Sequence, residues 1–451
     1  MPLELRDRLA ERLSEVSAEP VEVSEPERLS GGASRETWSF RARFRDGERR
    51  LVLRRDPPGA GDEHSMALEA TAIAAAERAG VPVPRLVDHS ADVSILDAPY
   101  LISEHVEGET IPRRLLREPE YEQARATMAR ELGRVAAHIH RIPPDSVRGL
   151  GRGDELGTGL DEYAASGDPL PALEIGLHWL HRNRPEPAGD VLVHGDFRNG
   201  NLIVGPDGLR AVLDWELVHR GDPLEDLGWL CVKAWRFASA LPVGGFGTRE
   251  DLFAGYAEVA GWYPDPDAVR WWEVHGTLRW AIGCRSMAQR HLSGANRSVE
   301  LAAIGRRVCE QEHDLLLALG IPPGEVSPGD VPEEPPEPGL HGRPTAAELT
   351  EAVGEFLRDE LTGVAGRAGF HTRVAANVLG TVERELRLGP GQQRRDAERL
   401  AALGYRDQSA LATALRAGSA DPDDPKVRSA VRAAVTDKLL VANPGYLSHP
   451  S

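Results

Sequence analysis

The sequence predicts an α+β fold followed by an all-helical tail, and three observations carry that expectation. Apolar runs that read as strands gather before residue 106 and again between 191 and 214. Helical periodicities of apolar residues occupy most of the rest. A segment dense in Pro and Glu, residues 322–342, separates this body from a tail that shows helical stripes and no strand pattern. The boundaries read from these features are an N-terminal helix at 1–24, a β-rich part at 25–106, a helical part at 107–321, the linker at 322–342 and the tail at 343–451.

The elements follow in order. Leu5, Leu9, Leu13 and Val16 share one face, which predicts a short amphipathic helix over 3–16. Gly31 and Gly32 form a turn leading to Ser34, and Trp38, Phe40, Ala42 and Phe44 then alternate as a strand. Leu51-Val52-Leu53-Arg54-Arg55 is the next strand, stopped by Asp56-Pro57-Pro58. A helix over 65–79 carries Glu69 and closes at Gly80 and the Val81-Pro82-Val83-Pro84 stop. Tyr100 to Val106 reads as a strand with a polar end. Residues 121–141 form a helix with Leu132, Val135, Ala136 and Ile139 on one face, and His138 and His140 read as packing residues. Helical spacings recur over 224–236 and 268–290, where Trp229, Trp235, Trp271, Trp272 and Trp280 read mainly as core. In the tail, Leu349, Val353, Phe356, Leu357 and Leu361 make one stripe, Phe370, Val374, Val378, Val382 and Leu386 a second, and Val427, Val431, Val435 and Leu439 a third. Shorter helices are expected near 392–403 and 408–416, so the tail reads as a small bundle suited to a protein partner or a homodimer.

Composition narrows the function. The net charge of −18 argues against a nucleic-acid partner. Three Cys, at 231, 284 and 309, are too few and too dispersed for a disulfide framework and suit a reducing compartment. The start Met1-Pro2-Leu3-Glu4-Leu5-Arg6-Asp7 lacks a signal-peptide core, and no apolar run approaches the roughly 20 residues of a membrane span. A cytoplasmic location without membrane contact is therefore expected.

The chemistry is concentrated in Val191–Val204 and Ala211–Glu216. The first stretch holds His194-Gly195-Asp196 and, five residues after the Asp, Asn201; the second ends a strand in Asp214. Gly205-Pro206-Asp207-Gly208 is a hairpin signal that sets the ends bearing Asn201 and Asp214 side by side. Phosphoryl transfer requires such a set: one carboxylate to orient a hydroxyl and take its proton, and an amide oxygen with a second carboxylate to hold magnesium.

This pattern resembles the catalytic and metal loops of the aminoglycoside phosphotransferase family, small-molecule kinases with a protein-kinase-like two-lobed fold, and in particular its branch of kinase-like domains found with acyl-CoA dehydrogenases. The resemblance spans roughly residues 25–320, making 25–106 the N-lobe and 107–321 the C-lobe with a helical insert beside the substrate pocket. It implies that Asp196 is the catalytic base, that Asn201 and Asp214 bind metal, and that His194 and Asp226 support the loop. It further implies that Gly31, Gly32, Ser34, Arg54 and its partner Glu69 contact ATP phosphates, with the backbone at Glu104 and Val106 meeting the adenine. Arg54 stands where a Lys is usual; Arg binds phosphate bidentately. The cofactors implied are ATP and Mg2+. The acceptor is a hydroxyl on a hydroxyacyl-CoA-like metabolite or an aminoglycoside, and the alternative is a catalytically silent nucleotide-binding regulator acting through the tail.

Overall fold

The computed structural model describes residues 5–29, 35–57, 63–153, 156–324, 343–361, 363–364 and 366–448. The chain divides into two compact units: Met1–Gly153 with Glu186–Val269, and Asp154–Pro185 with Arg270–Ser451.

The first unit opens with a six-stranded antiparallel sheet. Its order is Glu22–Val23, Glu36–Phe44, Gly47–Arg55, Tyr100–Glu104 and Leu86–Ser90, with Glu27–Arg28 also paired to Glu36–Phe44. Period-two alternation sends Phe40, Ala42 and Phe44 to one face, where they meet Leu51, Leu53, Tyr100 and Ile102. Leu9 and Leu13 of the Leu5–Ser17 helix cover this core. The third strand begins at Gly47, four residues before its apolar run. Glu48, Arg49 and Arg50 hide it in the sequence because ladder pairing to Arg43, Ala42 and Arg41 needs only backbone.

In the helical half of this unit, Glu122–His140 packs against Arg249–Ala260. Gly133 and Gly255 face the partner helix's backbone so closely that a Cβ on either would collide with it. The helix expected over 224–236 stops at Cys231, because Val232 is extended, and a 3-10 turn Lys233–Arg236 follows. Strands Leu202–Gly205 and Gly208–Val212 form the hairpin across Pro206-Asp207. Val191–Val193, which leads into His194, pairs instead with His219–Gly221.

The second unit is helical. The helices expected in the tail share a core with earlier ones. Leu400, Leu411, Leu415, Val427, Val431, Val435 and Leu439 pack with Ala172 and Ile175 of Pro171–Arg182 and with Cys309 and Leu316 of Val308–Ala318. The Pro/Glu-rich stretch therefore does not divide two cores: apolar faces before and after it need each other for burial. Of that stretch only residues 322–324 are described.

The stripe at 370–386 and the helix expected near 392–403 belong to one helix, Gly366–Ala402, which continues through Pro390. The second half is fastened to Pro425–Ala442: Gln392 Nε2 donates to the Asp437 carbonyl (2.9 Å), and Arg395 and Arg399 reach the Asp437 carboxylate at 3.1 and 2.6 Å. These contacts offset the one ladder bond that proline removes. Leu349, Val353, Phe356, Phe370, Val382 and Leu386 were expected to face a core and are exposed instead. A cavity of about 440 Å3 lies among these helices, but its carboxylates already have partners, Glu312 with Lys438 and Glu385 with Arg306 among them.

Candidate active site

The candidate site lies within the first unit. Asp196 sits in the loop after Val191–Val193 and its carboxylate receives three donors. Asn201 Nδ2 lies 2.6 Å from Oδ2; Trp229 Nε1 and Arg198 Nε lie 2.8 and 2.9 Å from Oδ1. The Arg198 guanidinium in turn rests 4.4 Å from the centre of the Trp235 ring. An acceptor carboxylate held by three fixed donors has little rotational freedom, which is what orienting a hydroxyl demands.

The loop is braced from below. Asp226, on the Leu224–Cys231 helix, accepts the backbone N–H groups of His194 (2.8 Å) and Gly195 (3.0 Å). Its Oδ2 also lies 3.1 Å from His140 Nε2, while His140 Nδ1 meets the Tyr256 hydroxyl at 3.0 Å. Burial pushes the Asp226 pKa up, but the His140 hydrogen bond and the nearby imidazoles outweigh it and hold the carboxyl below its ordinary value. His194 is fully buried, and that burial lowers its pKa and favours the neutral ring. Its Nδ1 accepts the Asp196 N–H (3.1 Å), and its ring tilts against Trp215 with centroids 4.6 Å apart. Gly195 has φ +79°, and a Cβ there would run into the Leu217 carbonyl, so the tight turn before Asp196 requires glycine.

Asn201 links the two carboxylates. Its Nδ2 donates to the Asp196 carbonyl and carboxylate, and its backbone carbonyl accepts the N–H of Leu213 (2.8 Å), the residue before Asp214. Asp214 adopts left-handed dihedrals, φ 67° and ψ 65°, strained for a non-glycine residue. Its Oδ1 accepts Arg54 Nη2 at 2.8 Å, and Arg54 Nη1 donates to Glu69 Oε1 at 2.7 Å. Burial alone would raise the Asp214 pKa; the Arg54 charge and hydrogen bond bring it below the ordinary value.

Glu69 is completely buried and takes a second guanidinium, that of Arg35. Arg35 also reaches Asp56 Oδ1 (3.0 Å) and Ser65 Oγ (3.1 Å), and approaches Glu216 Oε2 at 3.7 Å. Burial and the neighbouring Asp214 charge raise the Glu216 pKa. Oxygen donors from Asn201 and Asp214 suit a hard divalent cation that keeps water and phosphate in its remaining positions. Among the described residues no three His, Cys, Asp or Glu are grouped to cage a metal by themselves.

Asp196, Asn201, Asp214, Arg54, Glu69, His194 and Asp226 thus form one connected network. Glu104 ends the Tyr100–Glu104 strand and donates its N–H to the Arg85 carbonyl (2.9 Å), and Val106 follows, half-buried; neither is tied to the network by a contact among the described residues. Gly31, Gly32 and Ser34 lie outside the described residues. Arg35, Arg198, Trp229 and His140 were missed as site residues. Arg35 three residues after the glycine pair and Arg198 two residues after Asp196 carried a signal, a cation beside chemistry that handles anions. Trp229 and His140 read as core and gave none.

Comparison with known proteins shows the family and the fold. The profile of the phosphotransferase enzyme family APH matches residues 26–272, and that of a domain of unknown function, DUF6285, matches residues 362–446. Mouse acyl-CoA dehydrogenase family member 10 is 30% identical over 284 residues, 57% of this chain and 26% of that protein. Human acyl-CoA dehydrogenase family member 11 is 32% identical over 225 residues, 44% of this chain and 29% of that protein. The chain thus spans little more than a quarter of these curated relatives. A crystal structure of a putative aminoglycoside phosphotransferase from Ralstonia eutropha matches the fold with a TM-score of 0.55 and 21% identity, covering 70% of this chain and 98% of that one. No helix among the described residues is long and apolar enough to cross a membrane. With its kinase-like fold and more than half its length matched, the chain belongs to the aminoglycoside phosphotransferase (APH) family of phosphotransferases.

Proposed function

We propose that the protein is an ATP- and Mg2+-dependent kinase that phosphorylates a hydroxyl of a small molecule. The observation that carries this reading is the Asn201 bridge, which ties Asp196 to the strand end bearing Asp214 while Arg54 ties Asp214 to Glu69.

Asp196 Oδ orients the acceptor hydroxyl and receives its proton as the hydroxyl oxygen bonds to the γ-phosphorus. The bond from that phosphorus to the β–γ bridging oxygen breaks, and ADP leaves with its electron pair. Asn201 and Asp214 would hold Mg2+, which neutralises phosphate charge when bound. Arg54, oriented by Glu69, meets the phosphates, and Arg198 adds positive charge beside Asp196. Gly31, Gly32 and Ser34 are assigned to phosphate contact, and the backbone at Glu104 and Val106 to the adenine. Asp226 and His194 fix the loop. No covalent enzyme intermediate is needed.

For the acceptor, the names of the mouse and human relatives favour a hydroxyacyl thioester or similar metabolite over an aminoglycoside. Incubating the purified chain with γ-labelled ATP, Mg2+ and either hydroxyacyl-CoAs or aminoglycosides tests this. Label is expected on the hydroxyacyl compound; label on the aminoglycoside alone would overturn the acceptor assignment. Protection of the fold by ATP with no transfer or hydrolysis would overturn the kinase reading.

A further inference from the structure

The second unit carries an apolar surface that its own fold does not use. Helices Ala346–Asp359 and the first half of Gly366–Ala402 pack as a hairpin. The contact runs through small residues: the buried positions of the first helix are Ala347 and Gly354, and Ala376 is buried on the second. The large residues face away. Leu349, Val353 and Phe356, spaced four and three apart on one stripe, are 54%, 50% and 52% exposed, and Phe370, Val382 and Leu386 are 37–40% exposed on the neighbouring helix. Two helices alone cannot bury such faces, and four can.

The charges say which four. Ala346–Asp359 carries Glu348, Glu351, Glu355 and Asp359 against the single Arg358; Glu348 is held by Thr345 and Arg343 and Glu351 by Arg387 of the same copy, while Glu355 and Asp359 are exposed. On the second helix Arg373 lies in a stretch, 371–382, without a carboxylate, and Glu383 and Glu385 beyond it are paired with Arg387 and Arg306 of the same copy. Glu355 and Arg373 are both exposed. A twofold axis that sets one hairpin on another lays each acidic helix against the partner copy's basic one, so this surface complements itself. Six half-exposed side chains at roughly 100 Å2 each give about 600 Å2 of apolar area per copy, which with the charged flanks reaches the size of a stable interface.

We infer that two copies of this chain dimerise by packing these hairpins into an antiparallel four-helix bundle. The inference concerns the helical unit and is independent of the kinase reading. Analytical ultracentrifugation of the full chain tests it. The wild type is expected at twice its 49.0 kDa mass, Val353→Glu with Phe356→Glu at the single mass with an unchanged circular dichroism spectrum, and Arg373→Glu with a dimer dissociation constant raised at least tenfold. Because every substituted side chain is exposed, folding survives and circular dichroism verifies it. A wild type that stays monomeric throughout the micromolar range would assign the stripe to a different protein and overturn the inference. So would a dimer that the paired glutamates leave intact.

Discussion

Arg54 and Asp214 stand 160 residues apart in the chain and are joined by a 2.8 Å hydrogen bond, while the other end of the same guanidinium holds Glu69. One cation thus connects the sheet, the Glu63–Arg78 helix and the strand end that carries Asp214. In the proposed reaction this guanidinium is the one that meets the phosphates. Arg54→Met is expected to raise the ATP·Mg2+ dissociation constant ten- to a hundredfold, the equivalent of a charge-assisted hydrogen bond of about 1.5–3 kcal/mol. Arg54→Lys should lose less. Titration calorimetry checks both, and unchanged affinity in Arg54→Met would remove the phosphate assignment.

Arg35 is a positioning residue for Arg54, acting through their shared partner Glu69. Removing it leaves Glu69 buried with one cation instead of two. Because Arg54 remains, the loss is smaller than the ~3–5 kcal/mol of leaving a buried charge unpaired, and Arg35→Met should lower the melting temperature by a few degrees. Arg35→Lys should recover part of both the stability and the nucleotide affinity. A variant that loses stability but binds nucleotide as tightly as the wild type would confine Arg35 to a structural role.

Trp229 presents an indole N–H to Asp196 Oδ1 at 2.8 Å. Trp229→Phe keeps most of the buried ring and deletes that donor. The proposed mechanism expects kcat to fall about tenfold, in line with one hydrogen bond of roughly 1–1.5 kcal/mol, with KM for ATP unchanged. Steady-state kinetics separates the two parameters, and a change in KM alone would contradict orientation of the base by Trp229.

His219 supplies a pH dependence. Burial favours the neutral ring, but the Glu225 carboxylate 3.0 Å away outweighs it and raises the pKa above the ordinary 6.5. The folded state therefore keeps a proton that the unfolded chain releases near pH 6.5. The stabilisation is complete below that value and disappears as pH rises through the folded pKa. Melting temperature should fall over this window in the wild type and stay flatter in His219→Gln; parallel curves would refute the linkage.

The spacing of His194, Asp196, Asn201 and Asp214 was legible because loop chemistry leaves local patterns, and the Gly205–Gly208 turn reported its own hairpin. What the sequence concealed is nonlocal. Trp229 reads as core by hydropathy, yet one edge of its ring is a hydrogen-bond donor whose partner lies 33 residues away. Arg35 looks like a loop cation until Asp56, Ser65 and Glu69 converge on it. The unit boundary was misplaced for a related reason: Pro and Glu at 322–342 report local stiffness and charge, whereas Leu316 and Val431 share a core for which no local signal exists.

The central claim is that Asp196 accepts the hydroxyl's proton beside a nucleotide held by its neighbours. The most direct measurement is the single-turnover rate of label transfer from γ-labelled ATP by wild type and Asp196→Asn, with ATP·Mg2+ affinity measured on the same samples. The account predicts near-equal affinity and a rate lower by about 10²–10⁴, the contribution of a general base. An Asp196→Asn variant that transfers phosphate at the wild-type rate would contradict it.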